Sequence, residues 1–131
     1  MEAKNKVIYL DTHVLIWLYE GKIDLIPKPA QLKIEESEIF ISPMVELELQ
    51  YLFEIGKIKE QAKNIIIDLQ ARIGIDYCKQ PFPQIIIQAL LEDWTRDPFD
   101  RIIVSQAKLS NALLLSKDKL ILKNYKQAFW N

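Results

Sequence analysis

The chain has one cysteine, Cys78, and one histidine, His13, among its 131 residues. A single thiol excludes an internal disulfide framework or a cysteine-ligated zinc cluster. It suits a reducing compartment, so a cytoplasmic protein is expected. One imidazole leaves little for a histidine-rich metal site or a Ser-His-Asp triad. Three glycines and six prolines are too few for a low-complexity or disordered chain. Long hydrophobic runs are also missing. The first, Val7–Leu10, ends at Asp11, and no run reaches the ~18 apolar residues of a membrane helix. Neither a signal peptide nor a membrane span is expected. Nor is there an excess of positive charge: 17 Lys and Arg face 18 Asp and Glu, for a net charge of −1. A protein that coats duplex phosphates is usually basic, so any contact with nucleic acid must be local.

What is present is an apolar half, enough for one domain, 1–131, with a substantial core. Val7–Leu10 reads as a buried strand, and Thr12–Glu20 as a helix with Thr12 at its N-cap and Gly21 closing it. Ala30–Ser37 is a short helix and Glu38–Ile41 a second strand. Ser42-Pro43 is a helix start, with Ser at the N-cap and Pro at the first helical position. That helix runs to Ile55, before Gly56. Lys59–Ile73 is helical, Ile75–Cys78 is a third strand and Gln84–Asp93 a further helix. Asp97-Pro98 repeats the start signal for a helix reaching about Ser110. Ala112–Leu115 is a fourth strand, and Leu120–Leu122 a short fifth. Short apolar strands alternating with helices imply an α/β fold with a parallel sheet covered on both faces.

Four acidic residues stand where apolar runs give way to polar or helical sequence: Asp11, Glu48, Asp100 and Asp118. In open α/β sheets the carboxyl ends of the strands are where ligands bind. Carboxylates gathered there repel: two unit charges ~6 Å apart cost about 3 kcal/mol at an effective dielectric near 20. A divalent cation converts that penalty into binding energy. Glu48 shares a helical stripe with Met44, Tyr51, Leu52 and Ile55, whereas Glu46 falls with Gln50 and Glu54 on a polar stripe expected to face solvent. Asp100 shares a face with Ile103, Val104 and Ala107, while Arg101, Ser105 and Lys108 share another.

Plainer roles compete with a ligand role. Asp97 has a complete explanation as an N-cap, and Asp11 is an alternative cap to Thr12. Asp100 suits a helix dipole, and Ser-Lys-Asp-Lys around Asp118 is ordinary turn composition. Thr12 and Ser116 either hydrogen-bond a neighbouring carboxylate or cap a helix. His13 is expected on a helix surface or in packing. Trp17, Trp94 and Trp130 are expected in the core or an interface. Basic residues from Arg101 onward, including Lys108, Lys117 and Lys119, offer a basic rim or a solvated surface. Gln84–Asp93 carries more apolar residues than one buried face needs, which suggests a homodimer or partner interface.

Four segments together resemble the PIN-domain ribonucleases, especially the VapC-like toxins of prokaryotic toxin–antitoxin pairs. They are Tyr9-Leu10-Asp11-Thr12-His13-Val14-Leu15-Ile16-Trp17; Ile41-Ser42-Pro43-Met44-Val45-Glu46-Leu47-Glu48-Leu49; Asp97-Pro98-Phe99-Asp100-Arg101-Ile102-Ile103-Val104-Ser105-Gln106-Ala107; and Leu114-Leu115-Ser116-Lys117-Asp118. Each is weak alone; their order and spacing match the family. Ser116 stands where the family usually has Thr, which keeps the hydroxyl. The resemblance implies a three-layer α/β/α sandwich with a central parallel sheet. It implies that Asp11, Glu48, Asp100 and Asp118 bind Mg²⁺ or Mn²⁺; Thr12, Asp97 and Ser116, beside them in sequence, are expected to support the site. It further implies cleavage of RNA phosphodiesters, a homodimer and an inhibitory antitoxin partner. Single-stranded or looped RNA bends most easily into such a site. Competing classes are a non-toxin PIN-like nuclease, a non-catalytic PIN scaffold and an aspartate-based phosphoryl-transfer domain. The scaffold would lack an acid, and none is missing. A haloacid-dehalogenase-like phosphatase wants a second Asp where His13 stands.

Overall fold

In the computed structural model, residues 6–131 are described. The expectation of no leader also involves residues 1–5, which lie outside the described residues. Among these residues, five strands form one all-parallel sheet: β1 (Val7–Leu10), β2 (Glu38–Ile41), β3 (Asp76–Tyr77), β4 (Leu113–Leu115) and β5 (Ala128–Phe129). Their spatial order is β3-β2-β1-β4-β5. Tyr9 pairs with Phe40 on one side and Leu114 on the other, which places β1 at the centre. Ile8, Leu10, Ile41, Leu114 and Leu115 are at most 1% exposed. Strands this short hold together by burying both faces, since each fully buried aliphatic side chain contributes about 1.5–3 kcal/mol.

Among the described residues, seven helices cover the sheet: α1 (Thr12–Glu20), α2 (Lys28–Glu36), α3 (Pro43–Glu54), α4 (Ala62–Ile73), α5 (Phe82–Leu90), α6 (Pro98–Leu109) and α7 (Lys119–Asn124). A 3₁₀ turn at Ile23–Leu25 links α1 to α2. Helices α1, α3 and α4 pack on one another, and α5 packs on α6. The right-handed rule for parallel crossovers assigns these groups to opposite faces. The result is the three-layer α/β/α sandwich with a central parallel sheet. The chain leaves β1 toward β2 and β3, then returns to β4 on the other side of β1. The order therefore reverses between β1 and β4, and Asp11 N–H donates to Leu115 O at 2.9 Å across that point.

Several sequence expectations need correction. Asp11, not Thr12, is the N-cap of α1; its side chain accepts from Thr12 N–H. Leu120–Leu122 is not a strand but the middle of α7, because Asp118 Oδ1 caps Leu120 N–H and Ile121 N–H at 2.8 and 3.1 Å. The fifth strand lies further on, at Ala128–Phe129, where Leu114 and Leu115 supply the pairing. Helix α4 begins at Ala62 rather than Lys59, and α5 runs two to three residues ahead of its expected bounds. On α3 the fully buried residues are Val45 and Leu49, while Tyr51 and Ile55 are about half exposed.

Candidate metal centre

At the carboxyl edge of β1 and β4, two hydroxyls tie two acids into place. Asp11 is buried. Its Oδ1 accepts Thr12 N–H at 2.9 Å and its Oδ2 accepts the Ser116 hydroxyl at 2.7 Å. Ser116 Oγ in turn accepts Asp118 N–H at 3.0 Å, which sets the turn that carries Asp118. The Thr12 hydroxyl donates to Glu48 Oε1 at 2.5 Å and so joins α1 to α3. Thr12 and Ser116 therefore hold carboxylates, and the cap on α1 is made by Asp11. On α6, Asp97 Oδ1 accepts Phe99 N–H at 2.8 Å, and Asp100 follows in the first turn, half buried.

These acids share one electrostatic field. Burial pushes the Asp11 carboxyl above its ordinary range against the Ser116 hydroxyl and Thr12 N–H, and Asp118 adds to the rise. Burial pushes Glu48 up to about 7, opposed by the Thr12 hydroxyl and reinforced by Asp11, Asp97 and Asp118. Asp100 is pushed up to about 8, first by burial and then by Asp97, Asp11, Asp118 and Glu48. Each raised value marks a charge that burial, and then its acidic neighbours, oppose. Among the described residues no three His, Cys, Asp or Glu side chains stand close enough to grip a single ion. The donors are carboxylate and hydroxyl oxygens throughout, a set that suits hard divalent cations rather than soft ones.

Other residues serve differently from their sequence-based expectations. Glu46 is half buried, not solvent-facing, and accepts a hydrogen bond from the Tyr77 hydroxyl on β3. Arg101 donates to Thr95 O at 2.8 Å and Ala89 O at 3.4 Å, and Ser105 is fully buried. Lys108 donates to both carboxylate oxygens of Glu92 at 2.9 Å. Arg101 and Lys108 thus belong to the scaffold and not to a basic rim. Glu92 is 1% exposed and also accepts from Trp94 Nε1 at 2.7 Å and Gln88 Nε2 at 2.8 Å. Burial alone would raise its carboxyl, but these donors outweigh burial and hold it below its usual range. This pin fixes the segment between α5 and α6. No sequence signal announces it, because Glu92 and Lys108 are sixteen residues apart on different elements.

In open α/β sheets the switch point at the carboxyl ends of the strands is where ligands bind. The PIN domain model matches residues 8–127, and the chain belongs to the PIN domain family. PIN domains are generally nucleases. Among solved structures, the chain is similar to VapBC2 from Rickettsia felis bound to a DNA fragment from its promoter. The identity is 20% and the TM-score 0.65, over 95% of this chain and 99% of that one. VapBC-1 from nontypeable Haemophilus influenzae gives 19% identity and a TM-score of 0.64, covering 95% and 96%. DNA-bound VapBC from Salmonella typhimurium gives 16% and 0.63, covering 93% and 94%. At these identities the likeness is one of fold. No curated protein sequence matches the chain.

Proposed function

We propose that this PIN domain is a metal-dependent endoribonuclease of the VapC-like kind, the toxin of a toxin–antitoxin pair. One observation carries the reading: β4 returns beside β1 and ties Ser116 to Asp11, so that acids from the ends of both strands and from α3 and α6 share one field, where burial and then their mutual repulsion push Glu48 and Asp100 up. Asp11, Glu48, Asp100 and Asp118 would hold Mg²⁺ or Mn²⁺. When bound, the ion supplies an activated water and charge stabilisation at phosphorus. Thr12 and Ser116 orient the Glu48 and Asp11 carboxylates through the bonds described above. Asp97 fixes the first turn of α6 and hence the direction of Asp100. One of these carboxylates would accept the proton of the attacking water. Water adds to phosphorus, the P–O bond to the leaving ribose oxygen breaks, and that oxygen takes a proton. RNA in single-stranded form suits a concave edge of this kind.

The structural neighbours are VapBC assemblies, which supports an antitoxin as the protein partner. A homodimer is supported by the outer face of α5 and its exit, where Phe82, Ile87, Leu90 and Leu91 are 65–69% exposed. Among the described residues no helix is long and apolar enough to cross a membrane, and the lone, buried Cys78 suits the cytoplasm.

The test is cleavage of a synthetic single-stranded RNA by purified protein in Mg²⁺ or Mn²⁺. EDTA should abolish it, and Asp100→Asn should abolish it with the fold retained. Cleavage that survives both treatments would refute the reading.

A further inference from the structure

Beside the acidic centre lies a second cluster, aromatic and basic, that the chemistry above does not use. His13 and Trp17 sit one turn apart on α1, two and six residues beyond Asp11, with ring centroids 6.1 Å apart. Trp130, just past β5, packs at 5.9 Å from Trp17. It is brought there by β5, whose Phe129 O accepts Ser116 N–H at 3.2 Å. Lys117, between Ser116 and Asp118, places its ammonium 4.8 Å from the Trp17 ring centroid. His13 and Lys117 are exposed, and both indoles are only partly covered. A structural role explains the buried edge of each indole but leaves the exposed surface and the exposed cation beside it unexplained.

We propose that His13, Trp17, Trp130 and Lys117 form a subsite for an unpaired RNA nucleotide adjoining the cleavage site. This rests on the ribonuclease reading above. Aromatic faces stack any base, and a cation beside them neutralises the neighbouring phosphate, the usual composition of a single-strand site. The need for it is local. The edge where RNA must enter is acidic, and Arg101 and Lys108 are bound internally. Lys117 stands in the same turn as Asp118, so it offsets repulsion where a phosphate would pass. The patch is small, two indoles and an imidazole, which matches a base or two better than a protein helix. A protein partner has a broader apolar face on α5.

The experiment measures binding of a short fluorescent oligouridylate in Mg²⁺ to the Asp100→Asn variant, which is tested for loss of cleavage in parallel. The RNA should quench tryptophan emission. Trp130→Leu and Lys117→Gln should each weaken binding about ten-fold, as expected for one stacked base or one phosphate contact. Trp130→Phe should retain most of the affinity, because a ring remains to stack. Lys117→Gln removes an exposed side chain and should leave the melting temperature unchanged, so its effect cannot be ascribed to unfolding. Unchanged RNA affinity in both Trp130→Leu and Lys117→Gln overturns the subsite and leaves the patch to a protein partner. Trp130→Phe as damaging as Trp130→Leu overturns the stacking role. If wild type neither cuts nor binds RNA, the ribonuclease reading fails with it; if wild type cuts and the patch variants bind normally, only the subsite fails.

Discussion

Replacing Glu48 by glutamine in metal-free protein isolates the electrostatic strain at the centre. In the folded chain this carboxyl keeps its proton to about pH 7, whereas an unconstrained glutamate loses it near 4.5. The folded state therefore binds more protons than the unfolded state across that interval. Stability must fall as pH rises through it and level off above. Full ionisation against burial, Asp11, Asp97 and Asp118 corresponds to about 3 kcal/mol. Water reaches this half-buried group, so screening reduces the figure to roughly 1–2 kcal/mol. The glutamine carbonyl can still accept the Thr12 hydroxyl, so the substitution removes charge and little else. Glu48→Gln should then raise the melting temperature at pH 8 in EDTA by about 4–8 °C, at about 4 °C per kcal/mol for a domain of this size. At pH 4 the two proteins should melt together. Adding Mg²⁺ at pH 8 should stabilise wild type more than the variant, by mass action on a site that has lost a ligand. Thermal melts monitored by circular dichroism at both pH values decide it. A gain of equal size at pH 4 and pH 8, or a loss at pH 8, would refute the claim that burial and the neighbouring acids strain the Glu48 charge.

Glu46→Gln is the contrast: it keeps an acceptor for the Tyr77 hydroxyl and lies outside the acidic field. RNA cleavage should be unaffected, and stability should change by no more than about 0.5–1 kcal/mol in urea melts. Loss of cleavage there would redraw the site. Lys108→Met leaves Glu92 buried without its cation. It should cost about 2 kcal/mol in the same melts, below the roughly 3–5 of a fully buried pair because the Lys108 ammonium reaches water. An unchanged urea midpoint would show that Trp94 and Gln88 suffice. Leu90→Lys, on the exposed side of α5, should convert a dimer to a monomer in light scattering without lowering the melting temperature of the monomer. A wild type that is already monomeric at high concentration would rule out the homodimer.

Local chemistry made much of the fold legible in the sequence. Ser42-Pro43 and Asp97-Pro98 started α3 and α6 where expected, because a side-chain acceptor followed by proline satisfies or removes the orphan N–H groups of a first turn. Val7–Leu10 and Glu38–Ile41, short and mostly apolar, are strands as read from the sequence. The same local logic failed at Leu120–Leu122. Three apolar residues suit strand or helix alike, and the Asp118 cap together with the pairing needs of β4 decided for helix. Helical spacing separated Glu46 from Glu48, yet it could not see that Tyr77 would come over from β3 to bury Glu46. It also placed Tyr51 and Ile55 inside, where only Val45 and Leu49 are. The four acids and their order were written in the chain. Their common field was not, because it depends on β4 returning beside β1, a pairing between residues about a hundred positions apart. The same long-range closure set Lys117 against Trp17. Sequence determines what each residue can do through its neighbours along the chain. Which charges must face one another across the sheet edge is settled only by the tertiary fold, since burial and repulsion act through space.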